Sequence, residues 1–89
     1  MPRLEFSERF ADDLAAVTSA KVETRVLRAL DSIEAFGAYG SPLVRETIVQ
    51  RIGEGVRKVA IPPFDLVYTL DPDEQVARIE ALVPARTVW

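Results

Sequence analysis

Residues 64–83 have the sequence FDLVYTLDPDEQVARIEALV and carry the strongest secondary-structure signal in the chain. In the first seven residues, large apolar side chains occupy every second position: Phe64, Leu66, Tyr68 and Leu70. This alternation is typical of a β-strand with one face on a hydrophobic core. Residues 71–74 favour a tight turn, because Asp side chains bond their own backbone and proline presets φ. The stretch therefore predicts the start of an antiparallel β-hairpin.

A second alternating segment, residues 76–83, completes the predicted hairpin. One face of this strand is expected to carry Ala77, Ile79, Ala81 and Val83. Residues 56–61 are also strand-like, and the Pro62-Pro63 pair that follows ends or bulges that strand because proline cannot donate to a ladder. Glycine and proline are frequent from Gly37 to Pro63, which disfavours helix. Within that region we interpret Ile48, Val49 and Ile52 as a short or irregular strand.

The first third of the chain has helical rather than alternating periodicity. Ser7 is a candidate N-cap, and apolar residues follow at positions 10, 14 and 17. Thr18-Ser19 supplies a second possible cap before a second stripe at positions 22, 26, 30 and 33. Gly37 suits the position just past a helix end. These features favour two helices joined by a tight turn over one long helix. A short strand at Leu4-Glu5-Phe6 precedes them.

The predicted order of elements is β-α-α-β-β-β, which is an α+β fold. An N-terminal αα-hairpin packs on a small antiparallel sheet in this prediction. Residues 1–89 are expected to form a single domain, because a chain of this length cannot bury two independent cores.

The composition excludes several kinds of chemistry. The chain contains neither cysteine nor histidine, so disulfides, Ser-His-Asp triads and Cys- or His-based metal sites are excluded. We predict no metal and no cofactor. No apolar run approaches the ~18 residues of a membrane span, and the N-terminus lacks the apolar segment of a signal peptide. A cytoplasmic protein without a membrane partner is therefore expected.

The charge is unevenly distributed along the chain. The net charge is −3, so strong binding of free nucleic acid is not expected. Residues 38–64 nevertheless have a net charge of +2. They contain Arg45, Arg51, Arg57 and Lys58 against Glu46 and Glu54. Whether this basic segment forms a surface patch depends on the fold.

Three groups of residues are candidates for function. Arg57 and Lys58 are neighbours on a predicted strand and must point to opposite faces, either as ordinary solvated charges or as phosphate or partner contacts. Tyr68 is favoured as a core-facing residue with its hydroxyl at an edge, over a catalytic phenol. Arg86 and Trp89 are close enough in sequence for a cation–π pair, although a terminal Trp more often fixes the last segment to the body.

The order of these motifs resembles the RelE/ParE superfamily, the toxins of bacterial type II toxin–antitoxin pairs. Residues 6–14, FSERFADDL, look like the family's opening after the first strand, and residues 56–71 resemble its central arginine-strand-break-tyrosine signature. Residues 76–82 followed by Arg86 and Trp89 resemble its last strand and C-terminal motif. The proline break and the final Trp look more like the ParE branch than the RelE branch.

The resemblance implies a toxin that a cognate antitoxin binds and neutralises. A ParE-like member would act by protein contact on DNA gyrase, with Arg57, Lys58, Arg86 and Trp89 as target-binding residues. A RelE-like member would be a metal-independent, ribosome-dependent mRNA endonuclease, with Arg57, Lys58, Tyr68 and Arg86 as its catalytic groups. A non-toxic interaction module is a third alternative.

Three departures from the RelE pattern favour the protein-contact alternative over an enzyme. Ala60 and Asp65 stand where RelE-type strands commonly carry arginines, and Pro84-Ala85 stands where many members have a histidine. The acidic net charge is also unusual for a protein that grips RNA.

Overall fold

The computed structural model describes residues 1–86, which form three helices and a four-stranded sheet. The elements in chain order are β1 (Arg3–Phe6), α1 (Glu8–Ala15), α2 (Ala20–Phe36), α3 (Glu46–Ile52), β2 (Val56–Ile61), β3 (Phe64–Leu70) and β4 (Val76–Pro84). The strands lie in the order β1-β4-β3-β2, so that β1 and β2 are the two edges. The predicted α+β class is confirmed. No helix within residues 1–86 has both the length and the apolar character needed to cross a bilayer.

The predicted β2-β3-β4 meander is present, and the sheet as a whole is mixed. β2 pairs antiparallel with β3, and β3 pairs antiparallel with β4. β1 instead runs parallel to β4, from the pair Arg3–Val76 to the pair Phe6–Ile79. The Asp71 carboxylate accepts hydrogen bonds from the backbone N–H groups of Gln75 and Val76, which is the turn mechanism expected from the sequence.

Both predicted serine caps are confirmed. The Ser7 hydroxyl accepts from the Phe10 N–H at 3.0 Å, and the Ser19 hydroxyl accepts from the Val22 N–H at 3.3 Å. α2 ends at Phe36, and the next residue, Gly37, has a φ of +50°, a conformation that side-chain-bearing residues rarely adopt. These local signals fix where both helices begin and where the longer one ends.

The two faces of the sheet have separate apolar clusters. The larger cluster lies between the sheet and helices α1 and α2, and its most buried members are Val26, Ile33, Leu66, Tyr68, Ala77 and Ile79. The smaller cluster lies on the opposite face under α3 and contains Ile48, Val56, Val67, Ala81 and Val83. The sheet is therefore covered on both faces, and α3 covers only part of the second one.

The third helix corrects one prediction. A short or irregular strand was predicted at Ile48, Val49 and Ile52, and that prediction is wrong because these residues belong to α3. Their spacing of one and four residues places them on one side of a helix, where they pack on the second sheet face. Arg45 precedes the helix without a side-chain cap hydrogen bond, so the serine signal that marks α1 and α2 has no counterpart here.

A β-bulge in β4 corrects a second prediction. Val67 pairs with Ala81 while the next residue, Tyr68, pairs with Ile79, so Glu80 is the extra residue. The extra residue shifts the alternation by one position. Ala77 and Ile79 therefore face α1 and α2, whereas Ala81 and Val83 face α3. The prediction of one shared face for all four residues is wrong for the last two.

Side chains at the N-cap of α1 and within it form hydrogen bonds with backbone groups of β4 beside the bulge. The Ser7 hydroxyl donates to the Glu80 carbonyl at 2.6 Å, and the Asp13 carboxylate accepts from the buried Leu82 N–H at 2.9 Å. β1 ends at Phe6, so α1 takes over the edge of β4 from that point.

Asp13→Ala is expected to lower the free energy of unfolding by about 1–2 kcal/mol, because the Leu82 N–H then lacks its acceptor. Urea denaturation followed by circular dichroism measures the change. Asp12→Ala is the matched control, since it removes the same charge from an exposed position on the same helix. Equal losses in the two variants would show that charge, and not the bond to Leu82, is responsible.

Candidate functional site: the groove over the β2 edge

The loop after α2 is fixed to the sheet by Tyr68. The Tyr68 hydroxyl donates to the Gly37 carbonyl at 2.8 Å and accepts from the Gly40 N–H at 2.7 Å. Its side chain is fully buried in the larger cluster. Burial raises the pKa of Tyr68, and the Gly40 hydrogen bond and the positive charge of Arg57 only partly oppose this effect. The predicted core-facing orientation is confirmed, and the phenol is engaged in holding the loop.

Arg57 holds the same loop from the neighbouring strand. It pairs with Tyr68 across β2 and β3, and its guanidinium donates to the carbonyls of Ala38 and Gly40. Ser41 then exchanges two backbone hydrogen bonds with Lys58, at 2.9 and 3.0 Å. The loop from Gly37 to Ser41 therefore lies along the outer edge of β2.

Gly40 is required where this loop meets the sheet. A Cβ atom at this position would lie 2.7 Å from Cε1 of Tyr68 and 2.9 Å from the Lys58 carbonyl oxygen. Real Cβ atoms do not approach other atoms this closely, so only glycine fits here without a shift of the loop.

Two adjoining depressions lie beyond this loop, one on each side of the end of β2. The first has a volume of about 560 Å³ and is mainly apolar; its lining comprises Ala60, Pro62, Pro63, Phe64, Asp65, Pro84, Ala85 and Arg86. The second has a volume of about 280 Å³ and is lined by Arg25, Arg28, Ala29, Ser32, Tyr39, Val59, Ala60, Ile61 and Pro62. Ala60 and Pro62 belong to both linings. We call the two depressions together the β2-edge groove.

The groove is bordered by cations that lack carboxylate partners. Among residues 1–86, no carboxylate lies within salt-bridge distance of Arg25, Arg28 or Arg86, which line the groove, or of Lys58, which lies two residues before Ala60 on β2. The ion pairs recorded in the same range lie elsewhere: Arg3–Glu5, Arg9–Asp13 and Arg78–Glu80. The groove is thus a positively charged region on a protein whose net charge is −3.

Large apolar side chains are exposed in and next to the loop along β2. Phe36, Tyr39 and Leu43 are 73%, 51% and 81% exposed. Of these three, Tyr39 lines the smaller depression together with Arg25 and Arg28. Tyr and Arg side chains are enriched at protein interfaces, so this combination is typical of an interaction surface.

The structure separates the predicted site residues. Arg57 faces the helices and is bonded to the loop, whereas Lys58 faces the opposite side with Ala60. Tyr68 is buried, and Arg86 lines the larger depression. Trp89 lies outside the described residues. Lys58 thus shares a sheet face with Ala60, and Arg86 lines the larger depression, whereas Arg57 and Tyr68 hold the loop.

Sequence reasoning missed the contribution of α2 to this surface. Arg25, Arg28 and Ser32 lie three and four residues apart, so they share one face of the helix. That spacing was visible in the sequence. These residues form part of a groove only because the β2 edge lies beside α2, and no local sequence pattern indicates that arrangement.

No family model and no curated protein matched the sequence. Solved structures did match its backbone. A chain of the intact E. coli RelBE toxin–antitoxin complex is 16% identical, with a TM-score of 0.71 over 98% of this chain and 100% of that one. The isolated E. coli RelE toxin is 13% identical, with a TM-score of 0.73 over 99% of this chain and 88% of that one. The chain has the RelE/ParE toxin fold.

A member of the ParE branch matches as well. A chain of the chromosomal ParDE system of P. aeruginosa is 18% identical, with a TM-score of 0.55 over 94% of this chain and 96% of that one. The expected fold is therefore confirmed. The backbone gives no support to the expected preference for the ParE branch, because the two E. coli RelE chains have higher TM-scores than this one.

Proposed function

We propose that this protein is the toxin of a type II toxin–antitoxin pair and that a cognate antitoxin neutralises it in the cytoplasm by binding the β2-edge groove. The observation that carries the proposal is the agreement of fold and surface. The backbone matches chains of toxin–antitoxin systems, and the chain has a groove that combines uncompensated cations, a mainly apolar depression and the half-exposed Tyr39. Contacts with a protein partner stabilise exposed apolar side chains and unpaired cations more than contacts with water do.

We further propose that the toxin acts by protein contact, with DNA gyrase as its target. Support comes from the state of the two residues that a nuclease would need. The hydroxyl of Tyr68 is buried and bonded on both sides, so it is poorly placed to exchange protons with a substrate. Arg57 is bonded to two loop carbonyls. Lys58 and Arg86 remain as the charged groups offered to a target, with Arg57 and Trp89 as further candidates.

A RelE-like mRNA endonuclease is the second candidate, and one observation favours it. Asp65 pairs with Ala60, so its carboxylate lies on the same sheet face as Lys58, and it lines the same depression as Arg86. A carboxylate with two cations provides a general base and charge stabilisation for phosphoryl transfer.

Induced expression of the chain is expected to arrest bacterial growth, and co-expression of the protein encoded by the adjacent gene is expected to restore it. The purified chain is expected to inhibit DNA supercoiling by gyrase. Lys58→Ala and Arg86→Ala should each weaken this inhibition about tenfold, because truncated interface anchors cost on the order of 1–2 kcal/mol. Arg51→Ala is the matched control, since it removes an exposed cation from α3.

Three results would contradict parts of this proposal. Gyrase that remains fully active at high molar excess of the chain would reject the gyrase target. Cleavage of ribosome-bound mRNA in a primer-extension assay, abolished by Asp65→Asn, would establish the nuclease instead. Normal growth on expression, together with a stable complex with the adjacent gene product, would show that the chain is a non-toxic interaction module.

A further inference from the structure

We infer that two copies of this chain associate by antiparallel pairing of their β1 strands, with Leu4 opposite Leu4 of the second copy. The two four-stranded sheets thereby join into one continuous sheet with a two-fold axis at Leu4. The inference does not depend on the proposed function, because β1 is the sheet edge opposite to β2 and its groove.

The outer edge of β1 has unpaired backbone groups. The N–H groups of Arg3 and Ser7 donate to backbone carbonyls just before and within β4, at 2.9 and 3.0 Å. The odd-numbered residues of this strand therefore direct their backbone groups toward β4. Since the direction alternates along a strand, the N–H and C=O groups of Leu4 and Phe6 point away from the sheet. Within residues 1–86 no segment pairs with them, and an open edge of this kind accepts an added strand.

Charge selects one register for that pairing. Arg3 and Glu5 lie on the same face of β1, where their side chains form an ion pair at 3.0 Å. With Leu4 opposite Leu4 of the second copy, each Arg3 lies directly opposite a Glu5, which gives pairs of opposite charge across the two strands. A shift by two residues in either direction instead places Glu5 opposite Glu5 or Arg3 opposite Arg3, and like charges in these positions are destabilising. The sequence Arg3-Leu4-Glu5 is therefore complementary to itself in antiparallel orientation.

The same register uses the open backbone groups. Leu4 exchanges two hydrogen bonds with its copy, and the Phe6 N–H of each strand donates to the Pro2 carbonyl of the other, which makes about four bonds in all. The pairing ends at Pro2 because proline has no N–H to donate. At the other end, α1 begins at Glu8 and limits the edge. The open edge is thus short and matches the length of a second β1.

Apolar side chains on the helix-covered face of the sheet support the same contact. Leu4 is partly buried against the larger cluster. Phe6 is 52% exposed, and its ring stacks on Phe10 with the ring centroids 5.9 Å apart. In the joined sheet the two Leu4 side chains lie side by side at the two-fold axis, and each Phe6 lies opposite Pro2 of the second copy. The pairing therefore removes from water apolar surface that the single chain exposes.

The association is expected to be weak and concentration dependent. A four-residue edge is smaller than a standard interface, which buries ~1,200–2,000 Å². Each copy also has a net charge of −3, and the resulting repulsion opposes dimerisation. We expect a dissociation constant of roughly 10–100 µM at about 150 mM NaCl.

Sedimentation equilibrium of the full chain from about 5 to 500 µM measures the association. The mass is expected to rise with concentration from 9.9 kDa toward twice that value. Arg3→Glu places carboxylates opposite one another and is expected to weaken the dimer at least about tenfold. The charge-exchanged double variant Arg3→Glu/Glu5→Arg restores both pairs of opposite charge. Its dissociation constant is expected to return to within about threefold of the wild-type value.

A single introduced cysteine tests the register, because the chain has no cysteine of its own. Hydrogen-bonded partners in an antiparallel pair have Cα atoms ~5.5 Å apart, which is within the range of a disulfide. Leu4→Cys is therefore expected to form an intermolecular disulfide under mild oxidation. Phe6→Cys is the matched control, because the position is more exposed but lies opposite Pro2. It is expected to cross-link at least about fivefold more slowly.

Hydrogen exchange provides a measurement that needs no variant. The Leu4 amide of the wild type is expected to exchange more slowly at about 500 µM than at about 5 µM, because only the dimer gives it an acceptor. The Glu5 amide points toward β4 in the single chain already, so its exchange is the internal reference and is expected to stay the same.

Four results would overturn the inference. The first is a chain that stays monomeric up to about 500 µM. The second is a dimer whose dissociation constant Arg3→Glu leaves unchanged, or whose Leu4 amide is not protected, because such a dimer uses another surface. Faster cross-linking through Phe6→Cys than through Leu4→Cys is the third. Protection of the Leu4 amide only in a complex with the adjacent gene product is the fourth, and it would assign the β1 edge to that partner. Growth arrest and its rescue test the toxin–antitoxin proposal separately.

Discussion

Tyr68→Phe is expected to lower the free energy of unfolding by about 2–4 kcal/mol. The substitution retains the ring and removes only the hydroxyl, so it leaves the buried Gly37 carbonyl and the buried Gly40 N–H without partners. Each unpaired buried polar group costs on the order of 1–3 kcal/mol. Chemical denaturation at neutral pH measures the loss, which is a large part of the stability of a small domain.

Tyr39→Phe is the matched control, because it removes a phenol hydroxyl from a half-exposed position in the same loop. Its stability is expected to stay within about 0.5 kcal/mol of the wild type. Similar losses in both variants would show that the two bonds of Tyr68 do not hold the loop.

The same hydroxyl gives the wild type a specific sensitivity to alkaline pH. Burial raises the pKa of Tyr68 in the folded chain above its usual value, so the unfolded chain ionises first. The contribution of this group to stability is fully present below the unfolded pKa and falls as the pH rises through the folded one. We expect Tyr68→Phe to lose less stability than the wild type between pH 9 and the alkaline limit of the measurement, about pH 11.

Gly40→Ala is the second substitution with a large expected effect, a loss of about 2–4 kcal/mol. The added Cβ would lie 2.7 Å from the Tyr68 ring and 2.9 Å from the Lys58 carbonyl oxygen. Neither is the free end of a flexible side chain, because the ring is packed in the core and the oxygen belongs to the backbone of β2. The loop must therefore move away, which costs overpacking strain and the hydrogen bond to Tyr68.

Gly53→Ala separates this steric effect from the general cost of replacing a glycine. No atom lies within 4 Å of the Cβ position at Gly53, so the only cost there is its φ of +113°. With ψ at 179°, this conformation is essentially restricted to glycine, and its strain is worth about 1–3 kcal/mol. A Gly40→Ala variant that is as stable as the wild type would contradict the close contact. If Gly40→Ala but not Gly53→Ala weakens binding of the proposed antitoxin, the loop and the groove are connected.

The elements that were predicted correctly have their determinants within a few residues of sequence. Ser7 and Ser19 precede apolar stripes and bond the N–H groups that serines in that position are known to bond. The alternation of residues 64–70 and the Asp71 turn specify the hairpin in the same local way. The core position of Tyr68 was predictable because Leu66, Tyr68 and Leu70 occupy alternate positions of one strand and so share a face.

The features that sequence reasoning missed depend on distant partners. The bulge at Glu80 is stabilised by Ser7 from the start of the chain, and nothing near Glu80 in sequence signals it. α3 is helical because its apolar side packs on Val67 and Ala81, in a region where glycines suggested strands and turns. Arg25 and Arg28 became part of a site only when the sheet order placed β2 beside α2. The roles of Lys58 and Arg86 remain predictions.

The contacts of Tyr68 with the loop also determine when the groove forms during synthesis. The hydrogen bonds of this residue span 31 and 28 positions of sequence, and Arg86 lies further still toward the C-terminus. Local elements such as the two helices form early, whereas pairings across such long separations wait for the later segment to emerge from the ribosome. A nascent chain that stops before β3 has its helices but no tethered loop and no groove. The groove is therefore completed last, and a truncated translation product is expected not to bind the proposed antitoxin.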